Sequence, residues 1–243
     1  MTKILVLSDL HVGSLYALSP KPETPEQRYI LKEWLEMCAR VRPEYLIING
    51  DIIEGTQRAE EGKSLQLSDV DKQIDAAVEL VNRINYGKLL VTYGTRYHTD
   101  ENLNGDQVFA KVIGANAHNY ELSFKPAGVD SILHFSHHVS VSFSSWQYRT
   151  TPIAKELVAA LLNEKELYKY DGIIRSHAHY FVQVSFSAFG IITPCWQGRT
   201  PYMISKGLSL IPKLGYVILE SEEGKWRVRA NTFNIKRPEL VVV

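Results

Sequence analysis

Residues 3–11 read Lys-Ile-Leu-Val-Leu-Ser-Asp-Leu-His, a short apolar run that ends at polar side chains. A run of this length, rich in branched residues and bounded by polar ones, predicts a buried β-strand. In open α/β sheets the carboxyl end of such a strand is the edge where ligands bind. This stretch therefore predicts an α/β fold and places Asp9 and His11 at its ligand-binding edge.

The same unit of strand, polar turn and helix recurs along the first half of the chain. Thr24 and Gln27 form a capping-box pattern with proline at the first helical position, which predicts the start of a helix. We predict helices over 25–40 and 67–85 and strands over 45–48 and 88–92. Such alternation favours right-handed crossovers and a largely parallel sheet.

From about residue 105 the pattern shifts toward neighbouring strands. We predict helices over 105–113 and 152–168, and strands over 118–124, 131–135, 172–175, 181–186, 190–193, 216–221 and 225–231. No composition break or linker divides the chain. The sequence therefore predicts one α/β domain over 1–243, built from two packed mixed β-sheets flanked by helices.

Composition and charge exclude several classes of protein. Apolar residues make up 45% of the 243 and charged residues 22%, so disorder, collagen and coiled coil fit poorly. Lys and Arg number 27, as do Asp and Glu, and this balance argues against binding nucleic acid or anionic membrane by bulk charge. Two dispersed cysteines, Cys38 and Cys195, and the lack of a signal or membrane-spanning run predict a soluble cytoplasmic protein with no membrane partner. The oligomeric state stays open.

Five polar clusters follow predicted strands, and each carries carboxylate or imidazole groups. They are Asp9-Leu10-His11, Gly50-Asp51, Gly94-Thr95-Arg96-Tyr97-His98, Ser136-His137-His138 and His177-Ala178-His179. On an extended segment, the two outer residues of Asp-x-His or His-x-His face the same side and can approach one metal ion. Mixed carboxylate and imidazole ligands without cysteine suit a catalytic manganese, iron or zinc ion better than a structural zinc.

In their order and spacing, these clusters resemble the calcineurin-like metallophosphoesterases from Asp9 to His179. The resemblance implies a four-layer sandwich of two sheets and their flanking helices, with two divalent metal ions at the strand ends. Manganese is the leading candidate, with iron, zinc, nickel and magnesium as alternatives. It also implies a hydroxide that bridges the two ions and attacks phosphorus in line with the leaving oxygen.

The resemblance assigns roles to matched positions. It implies that Asp9, His11 and His179 bind one ion, that His137 and His177 bind the other, and that Asp51 bridges the two. A shared anion is needed because two dications so close repel strongly. His138, which follows His137, should face the opposite way and is a second choice as ligand.

The chain departs from the family pattern in the turn over residues 94–100, which reads Gly-Thr-Arg-Tyr-His-Thr-Asp. The family has Gly-Asn-His there, so Thr95 stands where an asparagine binds the second ion, and its hydroxyl is a poorer ligand. His98 is displaced by two residues but is implied as the acid that protonates the leaving group. Asp100 is a candidate either for binding metal or for orienting the His98 ring, and Thr95 is a candidate for direct or indirect metal binding. Ser176 replaces the glycine before His177.

Other polar residues have two readings each. Arg96 and Arg149 are candidates for clamping a phosphate, with a surface salt bridge as the alternative. His118 and His134 are expected to be hydrogen-bonded sheet residues. Alternating cations over 225–229 favour the solvated face of an outer strand over a nucleic-acid surface. Aromatic and arginine side chains suited to stacking on bases and holding phosphates are Tyr16, Trp146, Tyr148, Trp196, Arg149 and Arg199.

These features together predict a metal-dependent phosphoesterase. The substrate we expect is a phosphodiester, either a nucleotide or nucleic acid; single-stranded nucleic acid is the candidate for a nuclease activity. A phosphomonoesterase of the same fold is the alternative within the enzymes. A metal-binding scaffold whose catalytic site has decayed is the alternative outside them, because the altered turn at Thr95 permits it.

Overall fold

The computed structural model describes residues 2–57, 61–95, 104–140, 148–165, 168–206, 211–222 and 224–235. Two mixed β-sheets of six and five strands pack together with helices on the outside, which confirms the predicted fold class. The helices are α1 Pro25–Arg40, α2 Val70–Val81, α3 Gly105–Val112, α4 Thr151–Leu162 and α5 Pro201–Ser205. None of the helices in these ranges is long and apolar enough to cross a membrane.

The first sheet joins both ends of the described chain. Its strands are β1 Thr2–Leu7, β2 Tyr45–Asn49, β3 Lys88–Thr92, β4 Ala117–Asn119, β10 Leu214–Glu222 and β11 Lys225–Phe233. The order is β11-β10-β1-β2-β3-β4. Strands β1 to β4 run parallel to one another, and β10 runs antiparallel to both of its neighbours, β1 and β11. The predicted parallel region is therefore confirmed for the first half of the chain.

The second sheet is built from the middle of the chain. Its strands are β5 Glu121–Phe124, β6 Leu133–Ser136, β7 Gly172–Arg175, β8 Val182–Ser185 and β9 Phe189–Ile192. The order is β5-β6-β7-β9-β8, with β6, β7 and β9 parallel and antiparallel strands at both edges. Parallel strands thus occupy the centre of this sheet, where their carboxyl ends carry the candidate ligands.

Apolar side chains from both sheets form the core between them. Ile4 and Ile47 from the first sheet pack in one cluster with Phe135, Ile174 and Ile191 from the second, and all five are fully buried. Burying one such side chain contributes roughly 1.5–3 kcal/mol. This core fixes the two sheets face to face, so the ends of their parallel strands meet at one edge.

A second core lies between the first sheet and its helices. The capping box of α1 forms as predicted: Thr24 Oγ1 accepts from the Gln27 backbone N–H at 3.1 Å, and Gln27 Oε1 accepts from the Thr24 N–H at 3.3 Å. The apolar face of α1 then buries Trp34, whose ring meets that of Trp196 edge to face at 4.9 Å. Trp196 lies in the segment that follows β9, so this contact anchors that segment beneath the ligand-bearing edge.

Several predicted boundaries are wrong. The strand predicted over 118–124 is two strands, β4 and β5, which pair in different sheets; side-chain pattern does not reveal a change of sheet. The second helix begins later than predicted because Asp69 caps it by accepting from the N–H groups of Asp71 and Lys72. The helix predicted over 152–168 ends at Leu162, and α5 was not predicted.

The cations over 225–229 lie where the solvated-strand reading places them. Lys225, Arg227 and Arg229 are exposed on the edge strand β11, and Arg229 pairs with Glu220 of β10. Charged side chains on an edge strand hinder pairing with other chains. This confirms the reading of these residues as a solvated outer strand.

Candidate metal centre

Asp9, His11 and His179 form the first of two ligand sets. Their candidate donor atoms all lie within 4.8 Å of one another. His179 Nε2 is 3.2 Å from Asp9 Oδ1 and 3.2 Å from His11 Nε2. All three residues are buried, so the group is a compact, water-poor cluster of one carboxylate and two imidazoles.

Asp51, His137 and His177 form the second set, again with donor atoms within 4.8 Å of one another. His137 Nε2 lies 3.0 Å and His177 Nδ1 3.9 Å from Asp51 Oδ2. Asp51 and His137 are buried, whereas the His177 side chain is 34% exposed. This set is therefore open to solvent on the His177 side, where a substrate can enter.

The two sets adjoin through Asp9. Its Oδ1 lies 3.8 Å from Nε2 of His137, and its Oδ2 accepts from the backbone N–H of His177 at 3.4 Å. The fold thus brings all six predicted ligands together from four different strand ends. The bridging role implied for Asp51 stays a prediction.

The ligands reach this edge by a different backbone path from the one expected. Five of the six have positive φ: Asp9 (51°), His11 (47°), Asp51 (50°), His177 (68°) and His179 (54°). Alternation along an extended strand therefore does not explain how each pair shares a face, and that part of the prediction is wrong. Left-handed backbone costs a non-glycine residue on the order of 1–3 kcal/mol, and such strain concentrates at functional sites.

The donor set fits divalent metal ions. Asp9 Oδ1 and His137 Nε2 are buried and make no hydrogen bond of acceptable geometry in the described chain, although each lies close to other ligand atoms. A buried polar atom without a hydrogen bond is costly, and a metal ion would satisfy both. Two clusters of mixed imidazole and carboxylate can hold two divalent ions; these donors do not single out one metal.

Two groups behind the ligands fix which ring nitrogen faces the centre. Nδ1 of His11 lies 2.9 Å from Glu54 Oε2, and Nδ1 of His137 donates to the carbonyl oxygen of Asn49 at 2.7 Å. The Asn49 carbonyl places the proton of His137 on Nδ1 and leaves its Nε2 lone pair for a metal, and Glu54 puts a negative charge on the Nδ1 side of His11. Glu54 Oε2 also accepts from Gln197 Nε2 at 2.9 Å, so the carboxylate itself is held in place.

Asp106, at the start of α3, organises the backbone around Asp51. Its carboxylate accepts from the N–H groups of Asp51 and Ile52, each at 3.0 Å, and of Gly94 at 2.8 Å. Burial and the charge of Asp51 raise the pKa of this carboxyl to about 6. Three bonds from one side chain therefore tie the turn after β2 to the turn after β3.

Glu54 and Asp106 contact the candidate site, and reasoning from the sequence missed both. Asp106 has the appearance of an ordinary acidic residue in a first helical turn, where the helix dipole already explains it. Glu54 carried a signal: a charged residue directly after the apolar pair at 52–53 and three positions after Asp51. Such a residue is rarely buried without a partner, and here the partner is a ligand.

Thr95 lies against Asp51. Its backbone N–H donates to Asp51 Oδ1 at 2.6 Å, and its hydroxyl lies 3.2 and 3.3 Å from the two carboxylate oxygens. The adjacent Gly94 is required sterically, because a Cβ there would lie 2.0 Å from Asp51 Oδ1. The structure thus places Thr95 as a hydrogen-bond donor to a predicted ligand.

Opposite charges shift the pKa values of the ligands. Burial opposes protonation of His137, but Asp51 and Asp9 outweigh it and raise its pKa to about 9. Burial would raise the pKa of Asp9, but His137 and His179 outweigh it and lower the value to about 2. Asp9 thus stays ionised and His137 carries a compensating proton, which a bound cation would displace.

Three predicted site residues, Arg96, His98 and Asp100, lie outside the described residues, as does Trp146. Their roles stay predictions.

Arg149 is described and half-buried, and its guanidinium carbon lies 5.5 Å from the centroid of the Tyr180 ring. Tyr180 directly follows His179, so Arg149 contacts the segment that carries a predicted ligand. The phosphate-clamping role of Arg149 stays a prediction.

Two further expectations about aromatic rings are wrong. Trp196 is fully buried, so it cannot stack on a base. His138 was expected to face away from the site, yet its ring centroid lies 5.2 Å from that of His177 and 5.9 Å from that of His137.

The prediction that His118 and His134 are hydrogen-bonded sheet residues is confirmed. His118 Nδ1 bonds the hydroxyl of Tyr93, and His134 Nδ1 accepts from Arg175 Nη1 at 3.0 Å.

Comparison with known proteins bears on this centre directly. Residues 2–83 match the family model described as calcineurin-like phosphoesterase, and this segment contains Asp9, His11, Asp51 and Glu54. The predicted resemblance is confirmed. The resemblance implied a metal-dependent hydrolase of phosphoric esters. The family model describes the same class of enzyme. His137, His177 and His179 lie beyond the matched residues.

A solved structure shares this fold. A dimetal phosphatase from Danio rerio has 10% sequence identity and a TM-score of 0.50, covering 94% of this chain and 95% of its own. An archaeal phosphodiesterase has 14% identity and a TM-score of 0.47, covering 95% of this chain and 100% of its own. At such identities the likeness concerns the fold alone. No curated protein sequence matches the chain significantly.

Proposed function

We propose that the protein hydrolyses a phosphodiester bond, in a nucleic acid or a nucleotide, with two divalent metal ions. One observation carries the proposal: two three-residue ligand sets adjoin at a single edge, with 3.8 Å between Asp9 Oδ1 and His137 Nε2. Two-metal hydrolases hold their ions about 3.5–4 Å apart, which adjoining ligand sets permit. Manganese is our first choice of metal.

The chain's own residues have separate tasks in this proposal. The bound ions supply Lewis acidity and a more acidic water. Asp51 would supply the carboxylate that both ions share, Asn49 keeps the proton of His137 on Nδ1, and Glu54 lies 2.9 Å from Nδ1 of His11. His98 gives a proton to the leaving oxygen. The exposed edge of His177 marks the side from which the ester enters.

The segment after β9 supports a diester with a nucleoside group. The backbone N–H of Trp196 donates to the Asp9 carbonyl at 3.0 Å, and that of Gly198 donates to the Tyr16 carbonyl at 2.8 Å. These bonds place half-buried Tyr16 and exposed Arg199 on segments that flank the first ligand set. An aromatic ring and a guanidinium are the groups that hold a base and a phosphate.

Hydrolysis of a panel of esters tests the proposal. The panel contains an aryl phosphodiester, the matching aryl phosphomonoester, single- and double-stranded DNA and RNA, and nucleotides, each with manganese, nickel, zinc or magnesium after chelation. We expect metal-dependent turnover that is faster on the diester than on the monoester. Faster turnover of the monoester would favour a phosphomonoesterase, and none above the metal-free protein would favour a decayed scaffold.

Variants at the ligands test the site. Asp51→Asn and His177→Ala should each lose nearly all turnover together with bound metal, since the second ion depends on both side chains. His118→Ala is the matched control, because His118 is a sheet histidine bonded to Tyr93. Full metal content in both ligand variants would contradict the two-metal site.

A further inference from the structure

A buried hydrogen-bond network lies directly behind the ligand sets and crosses between the two sheets. Ser8, Asn49, Thr92, Ser176 and Thr193 form it, and all five are fully buried. Asn49 Nδ2 donates to Ser176 Oγ at 2.6 Å, and Asn49 Oδ1 accepts from Thr92 Oγ1 at 2.6 Å. Thr193 Oγ1 lies 2.7 Å from the hydroxyls of both Ser8 and Ser176. The core between the sheets thus becomes polar where it reaches the metal centre.

The bond between Asn49 and Ser176 links the two sheets. Asn49 is the last residue of β2 in the first sheet, and Ser176 follows β7 in the second. Asn49 Nδ2 also donates to the carbonyl of Ser136, the last residue of β6, at 3.0 Å. One amide group therefore fixes the ends of two strands of the opposite sheet.

Each residue of the second ligand set is attached to this pair. His137 donates from Nδ1 to the Asn49 carbonyl at 2.7 Å, and its own carbonyl accepts from the Ser176 N–H at 3.0 Å. His177 is the next residue after Ser176, and Asp51 lies two residues beyond Asn49. The first set touches the network only through Ser8, which precedes Asp9 and reaches Ser176 by way of Thr193. It has further supports of its own, Glu54 beside His11 and the Trp196 N–H on the Asp9 carbonyl.

We propose that Ser176 is a positioning residue whose hydroxyl sets the distance between Asp51 on one sheet and His137 and His177 on the other. The motif that this segment resembles has glycine at this position, and glycine cannot make the bond. The inference rests on the proposed two-metal function. Groups that orient metal ligands typically change metal affinity 10- to 100-fold when removed.

Manganese binding to Ser176 variants tests this. In Ser176→Ala and Ser176→Gly we expect one of the two sites to weaken about 10-fold and the other to keep its affinity, by titration calorimetry. The electron paramagnetic resonance signal of the coupled ion pair should change in parallel. Ser176→Thr keeps a hydroxyl and should restore the affinity to within a factor of about 3, a difference under 1 kcal/mol.

Ser131→Ala is the control, because Ser131 is also buried and accepts from Trp226 Nε1 at 2.7 Å, away from the ligands. We expect it to lower the melting temperature as Ser176→Ala does but to leave both sites unchanged. Equal weakening of both sites, or no weakening, in Ser176→Ala would overturn the positioning role while the two-metal proposal stands. Binding of fewer than two manganese ions by the wild type would overturn both.

Discussion

The carboxylate of Glu54 lies 2.9 Å from Nδ1 of His11, on the side of the imidazole that faces away from the other ligands. Both side chains are buried, and Gln197 donates to the same carboxylate oxygen at 2.9 Å. A carboxylate behind a ligating imidazole fixes the ring and increases its basicity. Glu54 therefore supports a candidate ligand of the first set from behind its ring.

Replacing Glu54 should weaken this set. In Glu54→Leu we expect metal affinity at one site to fall about 10- to 100-fold, and in Glu54→Gln less, because the amide oxygen still accepts from Nδ1. Manganese titration measures the change. Glu79→Gln, which removes an exposed partner of Arg83, is the control and should bind metal as the wild type does. Unchanged affinity in Glu54→Leu would mean that packing alone orients His11.

Gly94 is expected to tolerate no side chain. A Cβ at this position would lie 2.0 Å from Asp51 Oδ1 and 2.3 Å from the Asp51 backbone nitrogen, so Gly94→Ala must displace Asp51. We expect loss of metal binding and a decrease of about 1–3 kcal/mol in the free energy of unfolding. Denaturant titration and metal analysis measure the two effects.

Gly128→Ala is the matched control for that variant. No atom lies within 4 Å of the added Cβ, but φ is +74°, so only backbone strain opposes it. We expect it to lose about 1 kcal/mol of stability and no metal. Full metal content in Gly94→Ala would show that the turn can move without disturbing Asp51.

Thr95 gives a prediction about unequal sites. Its hydroxyl and backbone N–H both contact Asp51, and its side chain has no amide oxygen to offer a metal ion. We therefore expect one tight and one looser metal site, with activity following the occupancy of the looser site. Thr95→Asn should tighten the looser site about tenfold if its amide oxygen reaches the ion. Thr95→Val, which keeps the backbone bond, is the control and should not tighten it. Two equally tight sites in the wild type would contradict the idea.

The buried imidazole of His134 should make the folded protein less stable in acid. Burial, together with the positive charge of Arg175, lowers its pKa from 6.5 to about 4. The unfolded chain therefore binds more protons than the native chain between these values, so stability falls as pH decreases from about 6.5 toward 4. The urea midpoint measured across this range should fall less in His134→Gln, which cannot titrate.

The groups that face His134 are Arg175, Glu121, Glu156 and Tyr170. They are present in both proteins, so the difference between the two pH profiles isolates the imidazole. Identical profiles would show that His134 has the same proton affinity in the native and unfolded chains.

Local patterns in the sequence were enough to select the candidate residues for the chemistry. Asp9, His11, Asp51, His137, His177 and His179 each follow a short apolar run, and short runs that alternate with helices predict strands whose ends share one edge. The capping box at Thr24 and the strand at Lys88–Thr92 were equally readable, because they depend only on neighbouring residues. Local patterns therefore identified the six candidate ligands without any contact information.

How those residues are held depends on contacts that form when the chain folds. The contacts of Glu54 with His11 and of Asp106 with Asp51 join residues 43 and 55 positions apart, and Asn49 meets Ser176 across 127 positions. The division of 118–124 between two sheets depends on which strand each half pairs with. The left-handed backbone at five ligands is also set by the packed surroundings, since local preference disfavours it. Contacts between distant segments leave no period in the sequence, and they become visible only once the two sheets have packed.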